Sequence, residues 1–232
     1  MTGPVGSAAV PADPTELTTR LRRLAAGSSR VVVGIAGAPG AGKSTLAAAV
    51  VSEFGPGAVL VGMDGFHLAQ RVLDEAGTAP VKGAPETFDA AGYVALLERL
   101  ARPAPGETVY APEFRRELEE PIAGAVAVPP AARVVVTEGN YLLLDEAPWN
   151  RVRTLCTEVW FLDVPGDVRV DRLVRRHVRF GRLPDEALDR AVTGTDGRNA
   201  ALVVASRERA DLLLVTPAQT AGEPIESAHR AG

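Results

Sequence analysis

Apolar residues along this chain gather into five short runs, RVVVGIAG (30–37), AVLVGMD (58–64), RVVVTEGN (133–140), TEVWFLDV (157–164) and ADLLLV (210–215). Runs this short, rich in Val, Ile and Leu and not alternating with polar residues, predict strands buried on both faces of a parallel sheet. Between them, helical spacing predicts helices at 42–53, 89–102, 166–180, 184–192 and 197–208. Leu17, Leu21 and Leu24 predict one more helix ahead of the first strand. Strands alternating with helices indicate an α/β fold, here a three-layer α/β/α sandwich around a five-stranded, mainly parallel sheet.

One long insertion interrupts this alternation, between the second and third runs. Within it GETVYAPEF and PIAGAVAV predict a β-ribbon at the edge of the main sheet. The expected organisation is a mobile lead-in at 1–12, one folded unit at 13–216 with its insertion at 70–130, and a tail at 217–232.

Composition narrows the class. A chain of 232 residues, 46% hydrophobic and 23% charged, suits one globular domain and argues against disorder or fibrous repeats. The net charge of -4 argues against a surface that coats nucleic acid. A single cysteine, Cys156, excludes an internal disulfide, and with only three histidines there is no Cys/His zinc framework. Cys156 itself reads as an inert core thiol, and Trp149 and Trp160 as packing. The opening residues carry neither a basic run nor an apolar stretch, so no leader and no membrane partner are expected, and the expected compartment is the cytoplasm.

The chemistry concentrates after the first strand. Gly37-Ala38-Pro39-Gly40-Ala41-Gly42-Lys43-Ser44, followed by Thr45, matches G-x-x-x-x-G-K-[ST] between a predicted strand and a predicted helix. Glycines there let backbone N–H groups turn toward a phosphate chain, Lys43 reaches the β- and γ-phosphates, and Ser44 supplies an oxygen to Mg²⁺. The alternative is a plain Gly/Ala turn in an alanine-rich chain. Ligands of open parallel sheets bind beyond the carboxyl ends of the strands. Asp64 and Glu138 end the second and third runs and should converge with Lys43, unless they serve as helix caps.

The P-loop together with Asp64-Gly65-Phe66, the segment Lys82 to Asp89 (KGAPETFD), Glu138-Gly139 and the string Ser206 to Ala210 (SRERA) resembles the phosphoribulokinase, uridine kinase and bacterial pantothenate kinase superfamily of P-loop kinases. The Asp-Gly-Phe and Lys82 segments sit closest to pantothenate kinases. The resemblance implies a P-loop NTPase fold, ATP and Mg²⁺, Asp64 as catalytic base and Glu138 at the metal. It also implies an Arg-rich helical lid at 167–182 that closes over the phosphates, with Arg176 and Arg179 as the preferred pair.

The implied partner is a small-molecule hydroxyl acceptor, pantothenate or a nucleoside, with a sugar or nucleotide, or a switch ATPase without acceptor, as alternatives. A homodimer is compatible with this. His67, Lys82, Arg116, Asn140, Tyr141 and Asn199 are the candidates for the acceptor pocket. Lys82 has a second reading as an ion pair with Glu86. Arg115 departs from relatives, which more often carry Asp before the second Arg; it either favours an anionic acceptor or lies outside the pocket. Only Lys43 and Lys82 are lysines in a chain with 25 basic residues, and both fall in motifs. That suggests a compact ammonium is needed at each.

Overall fold

The computed structural model describes residues 9–27 and 29–216, and in it every strand of the main sheet runs parallel to its neighbours. The strands are β1 (Ala9–Pro11), β2 (Val31–Ala36), β3 (Ala58–Gly62), β6 (Val134–Gly139), β7 (Glu158–Asp163) and β8 (Leu212–Val215), in the order β1-β8-β7-β2-β6-β3. The hairpin strands β4 (Val109–Arg115) and β5 (Glu120–Val128) pair antiparallel as a separate two-stranded sheet. The ribbon read from the sequence therefore forms, but it packs beside β3 without entering the main ladder.

The sheet has six strands, not five. The extra one, β1, comes from the stretch read as a mobile lead-in, where three residues are too few to show a period; it adds to β8 through backbone hydrogen bonding. The remainder of that lead-in up to residue 8, and the tail from 217, lie outside the described residues.

The apolar runs are buried on both sides. Val31, Val33 and Ile35 of β2 face one layer and Val32 and Ala36 the other, and Trp160 and Leu162 oppose Val159 and Phe161 on β7 in the same way. Helices α1 (Pro14–Leu24) and α2 (Lys43–Phe54) cover one face with Leu17, Leu21, Leu46 and Val50. The other face is covered by α4 (Ala90–Ala101), α5 (Asn150–Leu155) and α8 (Thr195–Ala205), with Tyr93, Leu97, Val152 and Val203. Cys156, buried beside α5, has its thiol pushed up to about 12 by burial, as an inert core thiol should.

Three helices complete the layers: α3 (Gln70–Ala76), α6 (Gly166–Arg179) and α7 (Pro184–Val192). Neither α3 nor α5 is evident in the sequence, because seven and six residues span barely two turns and give no usable period. Local chemistry fixes other boundaries. Asp13 accepts from the amides of Thr15 and Glu16 ahead of Pro14, and Asp89 caps α4 by accepting from Gly92.

One polar relay lies inside the core beneath the sheet. The Thr137 hydroxyl on β6 donates to the Val61 carbonyl at 2.6 Å, so the Tyr93 hydroxyl donates to Thr137 at 2.7 Å. Tyr93→Phe leaves Thr137 without that donor and is expected to lower the unfolding free energy by about 1 kcal/mol. The measurement is a urea midpoint that falls while the slope stays constant; an unmoved midpoint would mean that the hydroxyl contributes nothing.

Candidate functional site

Parallel strands deliver their carboxyl ends to one edge of the sheet, and the central order β2-β6-β3 brings three chemical groups there side by side. The phosphate loop follows β2, Glu138 ends β6, and Asp64 follows β3 in a short 3₁₀ turn, Met63–Phe66. They open on a cleft of about 760 Å³. Pro39, Gly40, Lys43 and Ser44 line it directly, while Gly37, Ala38, Ala41 and Gly42 complete the loop behind them. Thr45, next on α2, is exposed and lies outside this lining. Among the described residues no side chain caps α2, which leaves its first amides available to an anion.

Lys43 and Glu138 are both buried. The Lys43 ammonium donates to Asn140 Oδ1 at 2.7 Å and to the Ala38 carbonyl at 3.3 Å. Burial lowers its pKa, while Glu138 and Asp64 oppose that shift. Burial also raises the Glu138 carboxyl, and the nearby Asp64 charge pushes the same way. Ser44 Oγ donates to Glu138 Oε1 at 3.1 Å, which sets two oxygens together at the mouth of the loop. This all-oxygen pair suits a magnesium ion, which takes one or two protein oxygens and completes its shell with phosphate and water.

Asp64 is half-exposed and faces Arg116, whose Nη2 lies 3.5 Å from Oδ2. The neighbouring glycine is fixed by space: a Cβ on Gly65 would lie 2.5 Å from the Pro112 carbonyl, where β4 crosses the turn. The ladder shifts register between Ala111 and Glu113, around that proline, which has no N–H to give. The ribbon thus sits on the Asp64 turn and brings Phe114 and Arg116 to the cleft. Arg115 points elsewhere and pairs with Glu113 at 2.8 Å, so the departure noted in the sequence lies outside the pocket.

His67 Nδ1 lies 2.8 Å from the Asp64 carbonyl, which can only accept, so Nδ1 carries the proton. Burial lowers the His67 pKa, which favours the neutral ring. That ring packs 4.0 Å from Phe88 and 4.8 Å from Phe114, centroid to centroid.

Most of the segment Lys82 to Asp89 proves architectural. Thr87 Oγ1 accepts from Gly83 N and donates to the Ala84 carbonyl, Phe88 enters the aromatic cluster, and Asp89 caps α4. Tyr141 and Asn199 both donate to the Gly83 carbonyl. Tyr141 is fully buried and outside the cleft lining, so it supports this wall from behind; Asn199 and Asn140 reach the cleft. Lys82 also faces the cleft and makes no ion pair with Glu86 among the described residues; its ammonium donates to Gln70 Oε1 at 3.2 Å and the Glu119 carbonyl at 2.8 Å.

The arginine-rich helix divides its labour. Arg169 donates to the Pro39 carbonyl and Arg172 to the Ala41 carbonyl, so the first turns of α6 hold the phosphate loop from above. Gly40 accommodates them: its φ is +80°, and a Cβ there would lie 2.6 Å from the Arg169 carbonyl. Arg176 lines the cleft, whereas Arg179 is exposed and outside the lining, about 60° further round the helix. Sequence reasoning missed His177, Phe180, Arg182, Arg190 and Asp196, which also line the cleft. Their only signal is tertiary, from helices α6, α7 and α8 folding back together. His177 Nε2 meets Asp196 Oδ2 at 2.6 Å. Although burial pushes the Asp196 carboxyl up, that hydrogen bond and Arg190 hold it below the usual range. The string Ser206 to Ala210 stays away from the cleft, with Arg207 paired to Asp163 and Arg209 to Asp145.

A phosphate loop after a central parallel strand, carboxylates at the ends of the next two strands and an arginine-bearing helix across the loop define a P-loop phosphotransferase. The model of the phosphoribulokinase / uridine kinase family matches residues 32–213, and the chain belongs to that family. It is 38% identical over 152 residues to the "ATP-dependent kinase-like protein notR'" of Aspergillus versicolor, covering 62% of this chain and 88% of that one. It is 34% identical over 186 residues to the "Putative uridine kinase C227.14" of Schizosaccharomyces pombe, covering 75% and 79% of the two chains. Among solved structures, the "putative fructose transport system kinase" of Silicibacter sp. TM1040 superposes with a TM-score of 0.76 at 40% identity, over 87% of this chain and 98% of that one.

The contacts of α6 narrow the expected lid. Arg169 and Arg172 tie its start to the phosphate loop and His177 ties its last turn to α8, whereas the amides of residues 180–182 bond only back to the end of α6. Hydrogen exchange is expected to be slow along 170–178 without ligand, with 180–183 gaining protection only when nucleotide binds. Fast exchange through the whole of α6 in the free protein would restore the longer lid.

Proposed function

We propose that the protein is an ATP-dependent kinase that transfers the γ-phosphoryl group to a hydroxyl of a small metabolite in the cytoplasm. The observation that carries this reading is the convergence on one cleft of the Lys43 ammonium, the Ser44–Glu138 oxygen pair and the Asp64 carboxylate. A switch ATPase needs no carboxylate beside an acceptor-sized chamber. Here Asp64 faces a wall of His67, Phe88, Phe114 and Lys82 that no phosphate chain requires.

The triphosphate lies in the loop with the remaining N–H of Lys43 directed at its β- and γ-oxygens. Ser44 and Glu138 would hold Mg²⁺, which neutralises charge on the β- and γ-phosphates when bound. Asp64 orients the acceptor hydroxyl and accepts its proton as the oxygen bonds to the γ-phosphorus and the bond to the β,γ-bridging oxygen breaks, releasing ADP. Arg176 supplies charge at the transferring group from above. Loss of water from the cleft strengthens each of these interactions. Relatives named for uridine and for fructose transport are consistent with a hydroxyl acceptor but differ in its class. Because the Lys82 to Asp89 segment is largely architectural, it gives pantothenate no special support.

Two substitutions test the assignment. Lys43→Ala is expected to abolish transfer while the protein stays folded, with a melting temperature lowered because Glu138 loses its buried counter-charge. Asp64→Asn is expected to keep nucleotide binding and to lower kcat by about 10²–10⁴. ADP release measured with a panel of pantothenate, nucleosides, sugars and their phosphates should depend on acceptor. Equal release with and without any acceptor would indicate an ATPase instead.

A further inference from the structure

Beyond Asp64 the cleft continues along an aromatic floor to a cluster of cations that phosphoryl transfer from ATP does not use. The floor runs from His67 to Phe114, and Lys82 Nζ stands 5.7 Å above the Phe114 ring. With its ring favoured in the neutral form, His67 belongs to this floor rather than to the cationic cluster. Arg190 reaches the same place from α7, where its Nη2 donates to the Lys82 carbonyl at 2.9 Å. Arg182, on the α6–α7 turn, lines the same cleft.

The acids nearby satisfy these cations only in part: Asp196 forms a long ion pair with Arg190. Both acceptors of the Lys82 ammonium are neutral oxygens, which leaves one of its three N–H groups for a ligand. Asp196 is committed to His177, and Arg190 Nε, 3.8 Å from Asp196, is buried without a hydrogen-bond partner. Arg182 has no ion pair among the described residues. Glu119 lines the cleft too, but it reaches Lys82 through its backbone carbonyl.

The wall is also rigid. Arg190, Tyr141 and Asn199, from three different elements, hold the carbonyls of Lys82 and Gly83. On this fixed part of the wall Lys82 and Arg190 form a preorganised anion site that Arg182 can complete from its turn, and a neutral acceptor would leave their spare donors unpaired.

We propose that the acceptor is itself an anion: a hydroxylated molecule whose carboxylate or phosphate group is held by Lys82, Arg190 and Arg182 while its hydroxyl lies at Asp64. The inference rests on the kinase reading above and specifies which hydroxyl compounds the site takes. The carbon skeleton would lie over His67 and Phe114, and the anionic group would set the distance and orientation of the reacting hydroxyl. Lys82 and Arg182 act on acceptor binding, away from the transferring phosphoryl group.

Two measurements test it. In the first, the loop is saturated with a non-hydrolysable ATP analogue and Mg²⁺, and inorganic phosphate or acetate is titrated while the melting temperature is followed. Wild type is expected to gain stability with at least one anion, and the one that stabilises it distinguishes phosphate from carboxylate. The Lys82→Met/Arg182→Gln double variant, at two partly or fully exposed positions, should lose that gain. No shift in wild type, or the same shift in the variant, overturns the proposal.

The second measures ADP release with matched pairs, such as a sugar and its phosphate, or a hydroxy acid and its amide. The anionic member is expected to have the higher kcat/KM by about tenfold or more, and the double variant should raise its KM far more than it lowers kcat. Turnover that prefers the neutral member overturns the anionic acceptor and leaves the kinase reading standing. ADP release indifferent to every acceptor counts against the kinase reading, while the anion titration still decides whether the wall binds an anion.

Discussion

Two opposite charges buried at the carboxyl ends of adjacent strands constrain this molecule more than any other feature. Lys43 and Glu138 are both withdrawn from water, and neither would tolerate burial alone. Each is held by neutral partners as well as by the other's field: Asn140 and the Ala38 carbonyl for the lysine, Ser44 for the glutamate. That arrangement requires β2 and β6 to be neighbours, and the register pairs Ile35 with Glu138. It requires β3 on the far side of β6, where Gly62 pairs with Glu138 and the next turn presents Asp64. The sheet order follows from the electrostatics of its edge as much as from its apolar faces.

The loop above this pair needs support that its own sequence cannot provide. A chain of small residues has few side-chain contacts of its own. Helix α6 supplies them by donating arginine N–H groups to the loop's outward carbonyls, at Pro39 and Ala41. Those arginines look from the sequence like phosphate ligands, yet they bind the outer surface of the loop and leave its inner surface open. Of the arginines in the expected lid, Arg176 and Arg182 line the cleft and Arg179 does not.

What could be read from the sequence was whatever depends on neighbours along the chain. The phosphate loop, Asp64 and Glu138 each sit where a strand ends, and strand ends are visible as the end of an apolar run. The ribbon was visible as two β-rich segments, and its bulge at Pro112 was not. Arg190 and Asp196 could not be found this way, because they reach the cleft only when α7 and α8 fold back over α6, whereas Arg182 lay inside the stretch read as a lid without being singled out. Tyr141 shows the limit from the other side: read as a pocket residue, it supports the wall from behind through the Gly83 carbonyl, while Asn199 holds the same carbonyl and still lines the cleft. A motif marks residues that must be kept; it does not separate those that touch a ligand from those that hold up the wall.

The two lysines show how far residue choice can be argued from geometry. Each ammonium sits in a small cage of neutral oxygens, Asn140 Oδ1 and the Ala38 carbonyl for Lys43, Gln70 Oε1 and the Glu119 carbonyl for Lys82. An ammonium has three donors about one nitrogen, so two cage bonds leave a third N–H for a ligand. A guanidinium spreads five donors over a flat fork and would need a wider cage with acceptors in one plane. At Lys43 the cage is buried against Glu138, and at Lys82 it is closed below by the Phe114 ring. Several of the described arginines, such as Arg20, Arg71 and Arg99, instead pair with carboxylates at the surface, where a fork has room. The use of lysine at these two positions therefore reports the same physical demand, a compact cation held on two sides and offered on the third, once at the phosphate chain and once at the far end of the cleft.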